Sequence, residues 1–333
     1  MQFNKLNKRL GWAIFAIATL VYFMTLERTL SLWDCGEYIA TSYKLEVGHP
    51  PGAPLFMMAG RLFSAFFGDT NAALMINVMS ALCSSFTILF LFWTITMIGR
   101  KFAYHLNSTQ RKGLSEKDKE AVLDGDNITP DERDNNLSAS EKWAIFGSAV
   151  VGSLAYTFSD SFWFSAVEAE VYAMSSFFTA LVVWAIFKWE RVAHQPRADR
   201  WLVFIAFMIG LSIGVHLLNL LAIPALAYMY YFKKFKNTNA KGFIVTGIVA
   251  VAGLLLIQEG IIPGTIQIAA NLEVFFTNSF GLPFNSGAII FGIVLVSLLT
   301  IGLLWSQRKG KVNLNTALLS LVMLYIGYTC FAM

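Results

Sequence analysis

The sequence predicts an all-α, polytopic membrane protein with about nine transmembrane helices, because apolar runs close to the ~20 residues that cross a bilayer recur along the whole chain. Of its 333 residues, 56% are hydrophobic and only 14% are charged, whereas a soluble domain carries about 25% charged residues. Helix is the expected structure, since lipid cannot satisfy an open backbone. The loops between the runs alternate between basic and non-basic, as expected of inner and outer loops.

The first predicted helix crosses the membrane outward. Lys5, Lys8 and Arg9 precede the apolar run Gly11–Thr25. No clear small-residue cleavage site follows the run, so we expect an uncleaved helix rather than a signal peptide. The basic flank predicts a cytoplasmic N-terminus and places the segment Glu27–Asn71 outside.

Two interfacial helices are expected in this first outer loop. Ala53–Phe67 is apolar, but as a helix it would reach only roughly 22 Å, less than the ~30 Å core of a bilayer. If it did span, the strongly basic segment Arg100–Lys142 would lie outside, which the positive-inside rule disfavours. Tyr38, Thr41 and Leu45 recur at helical spacing within a second candidate helix, Glu37–Glu46.

The rest of the chain continues the same alternation. Residues 100–142 form the one long polar segment and are predicted to be a cytoplasmic loop. Gly264–Gly287 contains no basic residue and is expected outside as two amphipathic pieces. The last run ends without a flanking charge, so the single transmembrane domain predicted for 1–333 is expected to be the N-terminal part of a longer protein. The remaining predicted spans are Ala72–Ile98, Trp143–Phe158, Val171–Phe187, Trp201–Val215, Leu217–Phe232, Gly242–Ile262, Ala288–Trp305 and Leu314–Met333.

Several function classes find no support in the sequence. The three cysteines, Cys35, Cys83 and Cys330, are far apart and form neither a disulfide framework nor a zinc motif. There is no P-loop and no dinucleotide fingerprint. The basic residues lie in loops between apolar runs rather than on one folded face, so no nucleic-acid partner is expected. The expected partner is the lipid bilayer.

The candidate chemistry follows the first helix. Asp34 and Glu37 are three residues apart and share one face of a helix. One interpretation is local: Asp34 caps the helix Cys35–Glu46 and Glu37 completes a capping box. The other is chemical: a carboxylate at an aromatic-lined membrane surface can have a raised pKa and take a proton from a hydroxyl. Both interpretations stay open at this stage.

Other polar residues of the predicted outer face are weaker candidates. Glu168 and Glu170 are two apart, so on a helix they point in different directions and only one is expected to face Asp34. Taken singly, His49 and His216 are as well explained by a turn and a helix tip as by substrate binding. Arg61 lies among apolar residues and either binds an anion or extends its head group to the membrane surface.

Two stretches resemble a known family. Asp34-Cys35-Gly36-Glu37, followed by His49-Pro50-Pro51-Gly52-Ala53-Pro54-Leu55-Phe56, resembles the N-terminal signature of a large bacterial membrane family. That family is related to the protein O-mannosyltransferase-like proteins of animals, within the GT-C superfamily of glycosyltransferases. Ala169-Glu170-Val171-Tyr172 and the tip at His216 are similar to later motifs of the family.

The resemblance implies a GT-C fold and an inverting transfer of a mannose-like sugar from a polyprenyl-phosphate donor to a hydroxyl, on an acceptor protein exported from the cell. It implies a multi-pass protein of the bacterial inner membrane with a periplasmic active site. Asp34 matches the acidic position of the catalytic base and Glu37 the second acidic position. The implied substrate-binding residues are His49, Arg61, Glu170, Tyr172, His216 and Asn219. No cofactor is certain; a divalent metal joining Asp34 and Glu170 is left open.

Two other functions compete with the glycosyltransferase. A transporter or flippase for a lipid-linked sugar would also have about nine spans, but it is expected to carry broken helices or charges at mid-membrane and often an inverted repeat. We find no internal repeat, and the acidic residues lie at the ends of spans. A scaffold subunit without chemistry would tolerate replacement of the carboxylates.

Overall fold

The computed structural model describes residues 2–50, 52–110, 134 and 137–332. Every regular element in this described part is helical, with no strand, which confirms the predicted all-α class. Five helical segments are long and apolar enough to cross a membrane: Asp69–Tyr104, Val171–Val192, Ala240–Phe280, Ser286–Arg308 and Val312–Phe331. The chain is thus a multi-pass helical membrane protein, while the count of nine spans stays a prediction.

The helices are as follows, in chain order. They are α1 (Phe3–Met24), α2 (Cys35–Lys44), α3 (Pro54–Ser64), α4 (Ala72–Gln110), α5 (Ala139–Thr157), α6 (Asp160–Ala166), α7 (Val171–Val192), α8 (Arg200–Ile213), α9 (Ala222–Lys234), α10 (Ala240–Leu255), α11 (Ile262–Phe280), α12 (Ser286–Arg308) and α13 (Val312–Ala332). Asp69–Asn71 and Leu217–Leu221 are 3₁₀ turns, and Leu256–Ile261 is a π-helical turn.

These elements divide into two compact units. The first comprises Met1–Ala198 and Gly214–Asn219, and the second comprises Asp199–Ile213 and Leu220–Met333. All the predicted site residues lie in the first unit. Whether the two units together make the single transmembrane domain expected for 1–333 stays a prediction.

Helix α4 is the central element of the first unit, with α1, α3, α5 and α7 packed around it. Its apolar residues Ile88 and Phe92 join Tyr22 of α1 and Phe146 of α5 in one buried core. At Gly11 helices α1 and α4 approach so closely that a Cβ would lie 2.5 Å from the indole Nε1 of Trp93. Close packing therefore holds the ends of α1 and α4, between which the site loop runs, in fixed positions.

The segment Glu27–Asn71, called the first outer loop after its predicted side of the membrane, contains the two short helices that the sequence predicts, with shifted ends. Helix α2 ends at Lys44, because Leu45 adopts a left-handed conformation with φ of 55°. Helix α3 has only 11 residues, about 16 Å at 1.5 Å per residue, which is too short to cross a bilayer. The turn between them has Gly52 at a φ of 76°; Pro51 of the predicted break lies outside the described residues.

The polar segment predicted for 100–142 is mostly outside the described part of the chain, which lacks residues 111–133, 135 and 136. Helices extend into both of its ends, since α4 continues to Gln110 and α5 begins at Ala139. A capping box between Ser138 and Glu141 defines the start of α5.

In the second unit, α8 packs along α13, α9 against α10, and α11 against α12. The expectation of two amphipathic pieces over Gly264–Gly287 is wrong, because α11 continues unbroken to Phe280. Pro263 lies in the first turn of α11, directly after the π-helical turn Leu256–Ile261. A proline has no N–H to donate to the preceding turn, which agrees with the change of helical hydrogen bonding there. Glu273 of α11 accepts the backbone N–H groups of Asn285 and Gly287 at 2.6 and 2.8 Å and so starts α12.

Candidate active site

Glu37 connects the two loops that flank α2. Its Oε1 accepts the backbone N–H of His49 at 2.6 Å, and its Oε2 lies 3.2 Å from His49 Nδ1. These two bonds lower the pKa of the Glu37 carboxyl, the backbone bond more than the side-chain bond. Asp34 occupies the N-cap position of α2 but makes no side-chain cap. The capping-box interpretation is therefore wrong: Glu37 turns away from the start of its own helix and fixes the ring of His49.

Asp34, Glu37 and His49 form a compact cluster. Asp34 Oδ2 lies 3.9 Å from His49 Nε2, so the imidazole stands between the two carboxylates. One oxygen or nitrogen from each of the three side chains lies within 4.8 Å of the others. All three side chains are about half exposed, so a substrate can reach them.

Glu170 is the buried carboxylate whose charge environment includes Asp34 and His49. It precedes α7 and is buried, and burial raises its pKa to about 7, with repulsion from Glu168 and then Asp34 adding to the shift and His49 opposing it.

The two neighbouring carboxylates have different surroundings, although both lie in the non-helical segment between α6 and α7, so the helical spacing argument does not apply to them. Glu168 is also buried, but it accepts a short hydrogen bond from the hydroxyl of Ser31 in the first outer loop. Only Glu170 thus shares an environment with Asp34.

Tyr38 lies beneath the cluster and links its parts. Its ring is 5.9 Å from that of His49 and 5.4 Å from that of Phe56 in α3, centroid to centroid. Burial, and after it the charges of Glu170, Asp34 and Glu37, together raise the pKa of Tyr38 to about 12. Tyr38 is therefore a neutral hydroxyl beside His49.

His216 and Tyr172 extend the site, with ring centroids 5.6 Å apart. The tip that carries His216 is fastened to α3, since the N–H of Leu55 donates to the carbonyl oxygen of Gly214 at 2.8 Å. His216 Nδ1 accepts the backbone N–H of Leu218 at 3.2 Å, and burial lowers the pKa of this histidine. A neutral His216 with Nδ1 as acceptor carries its proton on Nε2, which can donate to a ligand.

The other two predicted binding residues have different surroundings. Arg61 donates to the backbone carbonyl of Tyr43 at 2.6 Å, and its guanidinium lies 5.1 Å from the centre of the Tyr43 ring. These contacts tie α3 to the end of α2. Asn219 is completely buried. A substrate-binding role for either residue stays a prediction.

The loop that leads to Asp34 is held by residues that sequence reasoning missed. Asn77 of α4 donates through Nδ2 to the carbonyls of Glu27 and Thr29, at 2.8 and 3.2 Å. The N–H of Glu27 donates to the carbonyl of Val167 at 3.1 Å. The signal for this role in the sequence was an asparagine within an apolar helix, because a buried side-chain amide needs hydrogen-bond partners.

Comparison with known proteins places more than half of the chain in a family. Residues 34–239 match the family model described as the protein O-mannosyl-transferase TMEM260 N-terminal domain. The protein O-mannosyl-transferase TMEM260 of Mus musculus is 24% identical over 201 residues, which are 60% of this chain and 22% of that protein. The Dictyostelium discoideum protein O-mannosyl-transferase tmem260 is 24% identical over 172 residues, 51% of this chain and 16% of the relative. No solved structure matches.

Fold and site thus define a multi-pass helical membrane protein with an acidic site built on its first loop after α1. With more than half of its length matched, the chain belongs to the family of the TMEM260 N-terminal domain, as the resemblance of Asp34-Cys35-Gly36-Glu37 and its flanks predicts. The chain spans less than a quarter of the length of these two relatives.

Proposed function

We propose that this protein is an inverting glycosyltransferase that moves a mannose-like sugar from a polyprenyl-phosphate donor to a Ser or Thr hydroxyl of an exported protein. The observation that carries the proposal is the convergence of Asp34, Glu37 and His49 within the segment that matches a protein O-mannosyl-transferase family. The names of the relatives support transfer of mannose to protein; the lipid-linked donor, the GT-C fold and inversion rest on the family resemblance.

In the proposed reaction the acceptor oxygen attacks the anomeric carbon from the face opposite the phosphate. The bond from that carbon to the phosphate oxygen breaks, and its electron pair leaves with the phosphate. Asp34 takes the hydroxyl proton as general base. The substrate-facing position of Asp34, on a loop fixed by Asn77 and Glu168, supports this role because a base must be held close to the proton that it removes.

The neighbours of Asp34 have supporting roles. Glu37 orients His49, and His49 faces Asp34 at 3.9 Å, so both residues position the base. Glu170 has a pKa of about 7 and can hold a proton at neutral pH, which lets it donate to one substrate oxygen and accept from another. His216 and Tyr172 offer an N–H donor and a hydroxyl for the sugar or the phosphate.

The negative charge of the site opposes binding of the donor phosphate. Asp34, Glu37 and Glu170 repel a phosphate, so a cation is needed for the phosphate to bind there. Asp34, Glu37 and His49 fit a divalent ion such as Mg²⁺ or Mn²⁺, since they offer carboxylate oxygens and one imidazole nitrogen close together. Such an ion would neutralise the leaving phosphate.

The proposed site lies on the outer face of the membrane, which is the periplasmic face if the membrane is a bacterial inner membrane. The basic N-terminal flank of α1 supports this orientation. The donor's prenyl chain remains in the bilayer while its phosphate and sugar reach the membrane surface, where α2 and α3 form the walls of the site.

The test is Asp34→Asn in the full-length protein, with transfer measured from a polyprenyl-phosphate sugar to an acceptor peptide. Loss of the base is expected to lower the rate by roughly 10²- to 10⁴-fold without changing expression or the melting temperature. Asp160→Asn is the matched control, because Asp160 is an exposed carboxylate in the predicted second outer turn. Full transfer by the Asp34 variant would remove Asp34 as the base.

A second arm adds a chelator to the wild type. Lost transfer, restored by Mg²⁺ or Mn²⁺, is expected if the cluster holds a cation. Unchanged transfer would assign Asp34, Glu37 and His49 to proton transfer and positioning alone. Uptake of the donor into vesicles without any transfer would favour the flippase instead.

A further inference from the structure

Trp33 stands out among the residues around the site. It directly precedes Asp34, its side chain is 87% exposed, and its backbone has a φ of 64°. A bulky residue adopts this left-handed conformation rarely and at an energetic cost, and such outliers concentrate where a ligand is bound. The indole is exposed, so packing within the protein does not offset the cost of this backbone conformation. Contact of the ring with a molecule outside the chain would offset it.

The conformation of Trp33 separates two neighbouring side chains. Asp34 is directed toward His49, at 3.9 Å, while the indole of Trp33 faces outward. The loop that carries both is fixed by the hydrogen bonds of Asn77 to the carbonyls of Glu27 and Thr29 and by the bond of Ser31 to Glu168. The ring is therefore presented from a rigid loop beside the reacting group.

The surface around Trp33 is apolar. Leu30 and Leu32 of the same loop are exposed, and so is Val47, two residues before His49. Leu30 and Leu32 precede Asp34 by four and two residues, and Val47 precedes His49 by two. Exposed apolar side chains therefore flank the cluster residues in the chain, and we call them the apolar rim. Aliphatic side chains cannot form hydrogen bonds with sugar hydroxyls, but their contact with a hydrocarbon chain removes apolar surface from water, which is favourable.

We propose that Trp33, with Leu30 and Leu32, binds the first isoprene units of the lipid donor. This inference rests on the proposed function and specifies one subsite of it. In a polyprenyl-phosphate sugar the prenyl chain begins one phosphate away from the anomeric carbon. Its first units must therefore lie next to the group that serves the reacting carbon, which is where the apolar rim lies.

The experiment compares two donors with the same sugar phosphate, one with a long polyprenyl chain and one with a methyl group in place of the chain. Assays use the full-length protein in detergent, so that chain length does not change the donor's concentration in a bilayer. The variants are Trp33→Ala, Trp33→Asn and Trp33→Phe, and the matched control is Trp143→Ala, which removes an exposed indole at the start of α5. Asn accepts a left-handed backbone, so Trp33→Asn removes the ring without adding strain.

Loss of the indole is expected to raise KM for the long-chain donor about tenfold, the effect of leaving one large apolar contact unmade. The kcat, the acceptor KM and the KM for the short donor are expected to stay within twofold, and Trp33→Phe is expected to restore most of the loss. Equal losses with both donors, or a rise in the acceptor KM alone, would overturn the proposal, the latter in favour of an acceptor subsite.

A binding readout separates this inference from the proposed function. A polyprenyl phosphate with a photoreactive group in its first isoprene unit is expected to label the peptide containing Leu30–Asp34, and Trp33→Asn is expected to remove the label. Labelling elsewhere would overturn the inference even in an active enzyme. If the wild type transfers sugar from neither donor, the proposed function fails, while the label still decides whether a prenyl chain binds at Trp33.

Discussion

Glu170 illustrates how position sets the chemistry of a single residue. Glu37, Glu168 and Glu170 are carboxylates in or near the candidate site, yet each has different partners. Glu37 receives two N–H groups of His49, and its pKa is lowered; Glu168 receives the Ser31 hydroxyl; Glu170 is buried beside other negative charges, and its pKa rises to about 7. A carboxylate can thus orient a histidine, fix a loop or hold a proton, depending on the groups around it.

A pH dependence of stability follows for Glu170. Its pKa is 4.5 unfolded and about 7 folded, so between these values the folded state binds more protons and stability falls as pH rises. Glu170→Gln is expected to flatten this slope and to melt above the wild type at and beyond pH 7, as measured by thermal melting in detergent. Glu46→Gln, a change at an exposed carboxylate of the first outer loop, serves as control. An unchanged slope in the Glu170 variant would contradict the raised pKa.

At the scale of elements, the site depends on how closely α2 and α3 approach. A Cβ at Gly60 of α3 would lie 2.8 Å from both Cβ and Oγ of Ser42 in α2. Arg61 adds a bond from α3 to the carbonyl at Tyr43. Since α2 carries Glu37 and the turn before α3 carries His49, this contact sets the distance between the two side chains.

Two glycine variants test this contact. Gly60→Ala is expected to force α2 and α3 apart, to destabilise the protein by about 1–3 kcal/mol and to lower transfer. Gly36→Ala is the matched control: it lies in α2 with nothing within 4 Å of the added Cβ, so it is expected to stabilise the helix by up to about 1 kcal/mol. Thermal melting of both variants is the measurement, and a neutral Gly60→Ala would refute the close contact.

At the scale of the whole molecule, the proposed function requires the site to face away from the cytoplasm. The basic residues Lys5, Lys8 and Arg9 at the start of α1 predict this orientation. The two ends of α4, in the first unit, lie about 58 Å apart, because this helix has 39 residues with a rise of 1.5 Å per residue. Its two ends can therefore be labelled separately.

Impermeant thiol labelling of intact cells tests the orientation. Val47→Cys, at a position 93% exposed beside His49, is expected to react from outside. Trp143→Cys, exposed at the start of α5, is expected to react only after permeabilisation. The native Cys35 is buried, and the unsubstituted protein gives the background for all three cysteines. The reverse pattern would place Asp34 in the cytoplasm and end the proposal of an outer active site.

Much of the site was predictable because its residues are local in the chain or belong to a recognisable motif. Asp34, Glu37 and His49 lie within 16 positions, and the structure brings them together. The different partners of Glu168 and Glu170 do not follow from their spacing, because the expectation assumed a helix and both residues lie between helices. The interpretation of Glu37 as a helix cap was wrong, since a carboxylate at that position can equally well reach a nearby loop, and sequence spacing does not distinguish the two partners.

Composition and the spacing of apolar residues determine the helical membrane class and the two short helices of the predicted first outer loop, because hydrophobic burial and backbone hydrogen bonding in lipid act on the chain locally. The expected placement of acidic residues at the ends of spans does not hold for Glu259, which lies midway along the continuous helical segment Ala240–Phe280. Contacts between distant segments were decided by tertiary packing alone: Asn77 beneath the loop of Glu27, Ser31 against Glu168, and the His216 tip fastened to α3. The length of α11 and the outward turn of Trp33 also emerged only there. Such features depend on which side chains meet after folding, and a one-dimensional pattern carries no distances between segments far apart in the chain.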